Sequence, residues 1–417
     1  MAITNIKVSN FKSFKDLDLD LGPFNVVIGA NASGKSNFTE AFKFLKTLER
    51  ENLDDTISLH GGCESILNKR LASSQPLRME ITSDRQMTCG GLSYVQIYQT
   101  TYGFGLQMKR PHDGVIVEDD HLTQEMRVEA GGEGARMRVD VRMSEGKRKV
   151  EIGPQDLIDR VNDKRAGLDN AWLSTPYNYV RGHADPIEMW KANALLLRVN
   201  FFGFMGPSDS LFGRVGVYDI DPRVVKSPHE MAGRASLEED GGNLALIIKQ
   251  IRADAEKSRK FHNLLRYMLP FAEKIGTTRY LGTSILLKLR ETYYSDALFA
   301  NLLSNGTLDV VALIVALFFE DKDVVIIEEP ERNIHPHLIS GLMELMKDAS
   351  RNKQVIITTH SPEVVKHAGL ENLLLISRDK EGFSTVSRPG EKDTVRVFLE
   401  NELGLDDLFV QDLLAAP

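Results

Sequence analysis

Cysteine is nearly absent from this chain: 417 residues hold two, Cys63 and Cys89. Two unaccompanied thiols make neither a disulfide framework nor a zinc site, so both read as structural residues of a reducing compartment. Long apolar runs are missing as well. None approaches the roughly 20 residues that cross a bilayer, which excludes a helical membrane protein. The opening Met1-Ala2-Ile3-Thr4-Asn5-Ile6-Lys7-Val8 has no basic segment followed by an apolar core, so no secretory signal is expected and the cytoplasm is the expected location. Basic charge is not in excess either, with 51 Lys and Arg against 59 Asp and Glu and a formal charge of −8. That excludes a surface basic all over, although a local patch could still follow a phosphate backbone. The clusters Lys147-Arg148-Lys149 and Arg252, Lys257, Arg259 and Lys260 are each flanked by carboxylates and read as solvated faces. Long heptads, repeats and low-complexity segments do not occur.

What is present is the composition of a globular protein, 42% hydrophobic and 26% charged, at a length that implies one large α/β domain with an insertion, or two domains. The first residues read as a strand from Ile3 to Val8, a second through Leu17 and Leu19, and an apolar strand Phe24 to Ile28. A helix follows over Ser36 to Leu48, with Phe38, Ala41, Phe42 and Leu45 at helical spacing. From Leu77 to about Ile152, short β-like runs alternate with glycine turns, as in an antiparallel meander. Amphipathic helices follow around Leu244 to Ile251 and Phe261 to Met268. The intervening stretch, with its turns at Gly203-Phe204-Met205-Gly206-Pro207 and Asp219-Ile220-Asp221-Pro222, has no clear layout. The last third returns to α/β patterning: an apolar helix from Leu308 to Phe319, a buried strand Val324 to Ile327, a helix from Ile339 to Met346 and a strand Val355 to Ile357. Continuous apolar strands between helices indicate a parallel sheet. The expected division is 1–153, the first half of an interrupted nucleotide domain with its β lobe, 154–280, a mainly helical insertion, and 281–417, the second half.

Gly29-Ala30-Asn31-Ala32-Ser33-Gly34-Lys35-Ser36 matches G-x-x-x-x-G-K-[ST] between an apolar strand and a helix. Glycines let backbone N–H groups curl around phosphates, Lys35 reaches the β- and γ-phosphates, and Ser36 offers an oxygen to Mg²⁺. The expected ATP-binding set is Asn31, Ala32, Ser33, Gly34, Lys35, Ser36 and Asn37. A second motif ends a buried strand with Glu328-Glu329-Pro330-Glu331. Strand alternation sends adjacent carboxylates to different sides, so Glu328 can orient the water shell of Mg²⁺ while Glu329 polarises the attacking water as general base. Thr358-Thr359-His360-Ser361-Pro362 ends the next strand, where His360 can bond the γ-phosphate or that water. Ahead of both stands Leu303-Ser304-Asn305-Gly306-Thr307, in which Ser304 or Thr307 could cap the apolar helix.

Phosphate loop, Ser-x-Gly helix start, Glu-Glu and His, in that order, together with Asn10-Phe11-Lys12-Ser13-Phe14 and His335-Pro336, resemble the SMC/RecF-like ABC ATPases. The resemblance is strongest to the single-chain AAA-family ATPases related to OLD-type proteins, and it covers both ends of the chain. It implies an ABC-type ATPase head with a mixed β lobe and a parallel-sheet, RecA-like core interrupted by a helical insertion. It further implies ATP and Mg²⁺ as ligands and a head-to-head homodimer, or higher homo-oligomer, in which Ser304, Asn305 and Gly306 act in trans. Lys12 matches the basic residue that approaches nucleotide from the first strands, and Asn333 to Pro336 matches the loop at the dimer seam. His335 and His337 are then loop residues, not a metal pair. Glu328 stands where aspartate is usual, and the glutamine loop has four candidates, Gln96, Gln99, Gln107 and Gln124. The stretch after His360 is expected to be too short for the metal-dependent nuclease domain of OLD-type nucleases, so nuclease or toxin activity is expected on another chain.

Three functions follow as expectations. The favoured one is an ATPase that dimerises on ATP and controls a separately encoded effector, a nuclease or toxin, in bacterial anti-phage defence. The second is a DNA-clamping repair or recombination ATPase, with nucleic acid as partner, and the third a non-hydrolysing scaffold that uses ATP as dimer glue. A transporter ATPase is disfavoured by the long insertion and the lack of an implied membrane partner.

Overall fold

The computed structural model describes residues 3–71, 75–84, 86–89, 92–108, 114–130, 133–144, 147–154, 195–196, 211–231, 236–392, 395, 404–411 and 413–415. The turn expected at 203–207 and much of 154–210 lie outside these residues. The chain divides into two compact units. The first comprises Met1–Leu21, Glu40–Gly213 and Arg378–Thr385, and the second Gly22–Thr39, Arg214–Ser377 and Val386–Pro417.

The chain opens with β1 (Ile3–Phe11), β2 (Phe14–Asp20), β3 (Phe24–Ile28) and α1 (Lys35–Arg50), and continues through α2 (Leu53–Leu59) and α3 (Cys63–Ile66). Six further strands build the meander: β4 (Leu77–Ser83), β5 (Met87–Cys89), β6 (Leu92–Met108), β7 (Val115–Ala130), β8 (Glu133–Ser144) and β9 (Lys147–Gly153). In the first unit they form one antiparallel sheet in the order β2-β1-β4-β6-β7-β8-β9, with β5 paired to β6. Alternation drives it. In β4, Leu77, Met79, Ile81 and Ser83 are buried while Arg78 is exposed and Glu80 and Thr82 are half-buried. The buried face is filled by Phe11 against Phe44, with ring centroids 5.9 Å apart, and Tyr102 against Phe104 at 5.9 Å.

The rest of the chain runs β10 (Val215–Tyr218), α4 (Pro222–Val225), β11 (His229–Glu230), α5 (Leu244–Ala253), α6 (Ala255–Met268), β12 (Ala272–Tyr280), β13 (Ser284–Glu291) and β14 (Leu298–Phe299). It ends with α7 (Asn305–Phe318), β15 (Val324–Glu328), α8 (Ile339–Ala349), β16 (Gln354–Thr359), α9 (Pro362–Ala368), β17 (Leu373–Arg378), β18 (Ser384–Ser387) and α10 (Leu405–Val410). The second unit is centred on a sheet of order β10-β15-β16-β3-β17-β18. The pairs from β10 through β17 are all parallel. β3 and β16 are buried along their whole length, as strands covered by helices on both faces must be. The helix α7 is buried on every side from Thr307 to Leu317, which explains its lack of a polar stripe.

A smaller antiparallel sheet in the same unit has the order β11-β13-β12, with β14 beside β13. Sequence periodicity gives no sign of it. β12 follows the irregular burial pattern BeeBBiiee because its register shifts between Ala272 and Lys274, and that erases the period of two.

Candidate functional site

In parallel sheets of this kind ligands bind beyond the carboxyl ends of the strands. The registers here bring three such ends together. Thr359 of β16 pairs with Ile28 of β3, and Thr358 pairs with Glu328 of β15. The phosphate loop, the carboxylate pair and His360 therefore leave neighbouring strands at the same edge.

The loop between β3 and α1 folds with Gly29 at φ 153°, Ala32 at 60° and Gly34 at 123°. Gly29 is required sterically as well, because a Cβ there would lie 2.2 Å from the carbonyl oxygen of Ile376. Asn31, Ala32 and Ser36 are exposed, Ser33 and Gly34 are buried, and Lys35 and Asn37 are half-buried. Phe38 donates to the Gly34 carbonyl at 3.0 Å, so α1 begins directly at the loop and its first N–H groups face it. Lys35 donates to the carbonyls of Gly29 at 2.7 Å and Ala30 at 3.1 Å. Burial lowers the Lys35 ammonium below its ordinary value, against the opposing pull of Glu329 and Glu331.

Glu328 and Glu329 diverge as strand alternation requires. Glu328 Oε1 lies 2.9 Å from the Thr39 hydroxyl, which is also 3.0 Å from the Ser36 carbonyl oxygen, so one threonine links the end of β15 to the phosphate-loop helix α1. Glu329 leaves the strand direction at φ 46°, and its N–H donates to Thr358 O at 2.9 Å. Its two carboxylate oxygens have separate partners. His360 Nδ1 lies 2.9 Å from Oε1, and Arg332 donates to Oε2 at 3.1 Å while reaching Asp219 Oδ1 at 2.9 Å. Burial acts to raise the Glu329 carboxyl, but the Arg332 hydrogen bond and the charges of His360 and Arg332 outweigh it and hold the group below its ordinary value. Glu331 goes the other way. Burial raises it, although it accepts from Thr359 Oγ1 at 2.5 Å.

Ser304 caps α7, its Oγ accepting from Thr307 N at 3.1 Å. Asn305 Oδ1 accepts from Lys226 at 2.6 Å. Gly306 packs on the loop that follows β15, where an added Cβ would sit 2.3 Å from Asn333 O. Asn333, at φ 60°, donates its amide to Asp309 Oδ2 at 3.0 Å. His335 and His337 approach each other with Nδ1 atoms 2.6 Å apart, and no group of three or more His, Cys, Asp or Glu suited to a metal ion occurs among the described residues.

Lys12 belongs to the first unit, at φ 48°, with its ammonium 3.5 Å from Glu40. The four glutamine candidates also lie in that unit, on β6 and β7, and Gln124 is buried. Sequence reasoning missed Thr39, Asp219, Lys226, Asp309 and Arg332. Only Arg332 carried a local signal, an arginine three residues after a carboxylate.

A family model described as "AAA ATPase domain" matches residues 1–117, and one described as "AAA domain, putative AbiEii toxin, Type IV TA system" matches residues 215–366. The chain is 33% identical over 89 residues to the DNA replication and repair protein RecF of Lactococcus lactis subsp. cremoris (strain SK11), covering 20% of this chain and 25% of that protein. It is 42% identical over 59 residues to RecF of Brucella abortus (strain 2308), covering 13% and 15%. These matches span a quarter or less of the curated relatives' own length. Among solved structures, the SMC head domain from Thermotoga maritima aligns with a TM-score of 0.44 at 13% identity, covering 93% of this chain and 99% of that one. The fold and the motifs at its carboxyl edge define a phosphate-loop protein built on a parallel sheet. The two AAA models and the RecF matches support an SMC/RecF-like ABC-type AAA ATPase.

Such ATPases imply nucleotide and usually Mg²⁺. The residues fit both. The loop turns through glycines at positive φ onto the first N–H groups of α1, which suit phosphate, and Ser36 and Glu328 offer hard oxygen donors suited to Mg²⁺. No described helix is long and apolar enough to cross a membrane.

Proposed function

We propose that this protein binds ATP with Mg²⁺ and hydrolyses it to ADP and phosphate, using Glu329 as general base. The observation that carries this reading is the Glu329 carboxylate. It stands at the carboxyl edge of the parallel sheet, held in its charged form and bonded to His360 at 2.9 Å, and a strand that ends at the same edge feeds the phosphate loop. Mg²⁺, when bound, would neutralise phosphate charge and orient its waters. Asn31 to Asn37 would cradle the phosphates, with Lys35 against the β- and γ-phosphates, Ser36 and Glu328 toward the metal, and Lys12 approaching the nucleotide. Glu329 would take the proton of the attacking water, and His360 would orient that carboxylate or the water.

In the same reading the protein works in the cytoplasm as a homodimer or higher homo-oligomer assembled on ATP. Ser304, Asn305 and Gly306 complete the partner's site, with 1–153 and 281–417 as the two halves of the head and 154–280 as the insertion. This OLD-like assembly would control a separately encoded nuclease or toxin in anti-phage defence. Substituting Glu329→Gln tests the core of the proposal. Turnover should fall by at least about a hundredfold while ATP stays bound and the dimer accumulates in sedimentation velocity. Undiminished hydrolysis would refute the base. Co-purification with the protein encoded next to it tests the effector.

The similarity to proteins named for DNA replication and repair favours a second reading, a duplex clamp. ATP-dependent duplex binding that weakens steeply with salt would support it, and no binding at low salt would dismiss it.

A further inference from the structure

We infer that Arg332, anchored by Asp219, is a positioning residue that holds the Glu329 carboxylate in one orientation for hydrolysis. This rests on the reading of Glu329 as general base. The backbone of Glu329 is fixed, because its N–H bonds Thr358 O and its φ of 46° ends the strand. Its side chain is not fixed by packing, being 30% exposed, and a glutamate has several side-chain torsions to restrict. Two contacts supply the restriction. His360 takes Oε1, and Arg332 takes Oε2 with one terminal nitrogen at 3.1 Å and Nε at 3.4 Å.

Arg332 is itself held from two directions. Its own N–H donates to Glu329 O at 3.0 Å, closing the turn, and its other terminal nitrogen reaches Asp219 Oδ1 at 2.9 Å. Asp219 follows β10, the strand parallel to β15, and its N–H is tied to Glu239 O at 2.9 Å. The clamp therefore reaches from one strand end to the next and borrows the rigidity of the sheet. A planar guanidinium with several donors can grip two carboxylates at once, which an ammonium cannot do with the same geometry. Partly exposed ion pairs add little to stability, so fold stability is a poor reason for a carboxylate–arginine–carboxylate triad at this edge. Among the described residues Lys35, Glu331 and His360 also face Glu329, and none of them ties it to β10.

The test is steady-state ATP hydrolysis by full-length Arg332→Gln, Arg332→Lys and Asp219→Asn, with nucleotide affinity measured in parallel by calorimetry. Arg332→Gln should lower kcat by roughly tenfold to a hundredfold, the scale on which misplaced catalytic groups act, while KM and ATP affinity stay within about twofold. Arg332→Lys should recover part of the loss. Asp219→Asn should lower kcat less, and should add nothing once Arg332 is already Gln, because both act through one clamp. The role is overturned by an Arg332→Gln kcat within about twofold of the original or above it, by a loss confined to KM, or by additive effects of the two substitutions. Full turnover in Glu329→Gln would remove the base and this role together. A dead Glu329→Gln beside a fully active Arg332→Gln would remove the positioning role alone.

Discussion

Asn333 donates its side-chain amide to Asp309 at 3.0 Å, and through this bond the loop behind the carboxylate pair is fastened to the first turns of α7. The neighbouring residue Arg332 grips Glu329. Two consecutive side chains of one loop thus hold the proposed base and the helix that Ser304 caps. A displacement of that loop is felt by both, and the packing around it should tolerate little change.

Gly306 is the most sensitive point of this packing. A methyl group there would lie 2.3 Å from the carbonyl oxygen of Asn333, and that neighbour is backbone that cannot rotate away. Gly306→Ala should therefore destabilise the protein by about 1–3 kcal/mol, the usual cost of overpacking. A urea denaturation midpoint equal to that of the unsubstituted protein would mean that the loop is free to withdraw.

Asn333→Ala should cost about 1–3 kcal/mol by leaving a buried acceptor without its donor. The loss should depend on pH. Burial lifts the Asp309 carboxyl from 3.8 to about 6, while the Asn333 amide opposes the rise by favouring the charged form. The folded state then holds a proton that the unfolded state has released between about pH 4 and pH 6, so stability falls as pH rises through that window. Without Asn333 the carboxyl rises further and the penalty extends to higher pH. Denaturation at pH 5 and pH 8 should show the larger deficit at pH 8, and an equal deficit at both would contradict the argument.

Much of this site is legible in the sequence because its chemistry is contiguous. Gly29 to Ser36, Glu328-Glu329 and His360 are short motifs at the ends of apolar strands, and each turns up at the carboxyl edge of the sheet. The links between motifs are not legible. Thr39 and Glu328 are 289 residues apart and Arg332 and Asp219 are 113 apart, and only the strand order β10-β15-β16-β3 makes them neighbours. Sequence periodicity finds buried strands and amphipathic helices, but it carries no information on which strand lies beside which. The sheet of β11 to β14 escaped for a local reason, since a register shift and exposed polar positions leave β12 without alternation.

The first unit holds a buried carboxylate outside the proposed chemistry, and its behaviour with pH follows from its surroundings. Asp120 on β7 is fully buried, and burial lifts its carboxyl from 3.8 to about 7. The backbone N–H of Leu196 and the hydroxyl of Tyr102 act to lower it, and the charge of Asp119 adds to the rise. A carboxyl raised on folding is protonated in the native state at pH values where the unfolded chain has already ionised. The native state therefore binds more protons between about pH 4 and pH 7, and stability falls across that interval and levels off above it. A rise of about three pKa units corresponds to at most about 4 kcal/mol lost by neutral pH. Asp120→Asn keeps the size of the group and a carbonyl oxygen for Leu196 but cannot ionise. Near pH 5 the variant should melt close to the unsubstituted protein, while at pH 8 it should be the more stable, by several degrees in calorimetry. A variant that is destabilised equally at both pH values would show that the carboxylate is accommodated in its charged form, and that its contacts in the sheet outweigh the cost of burying it.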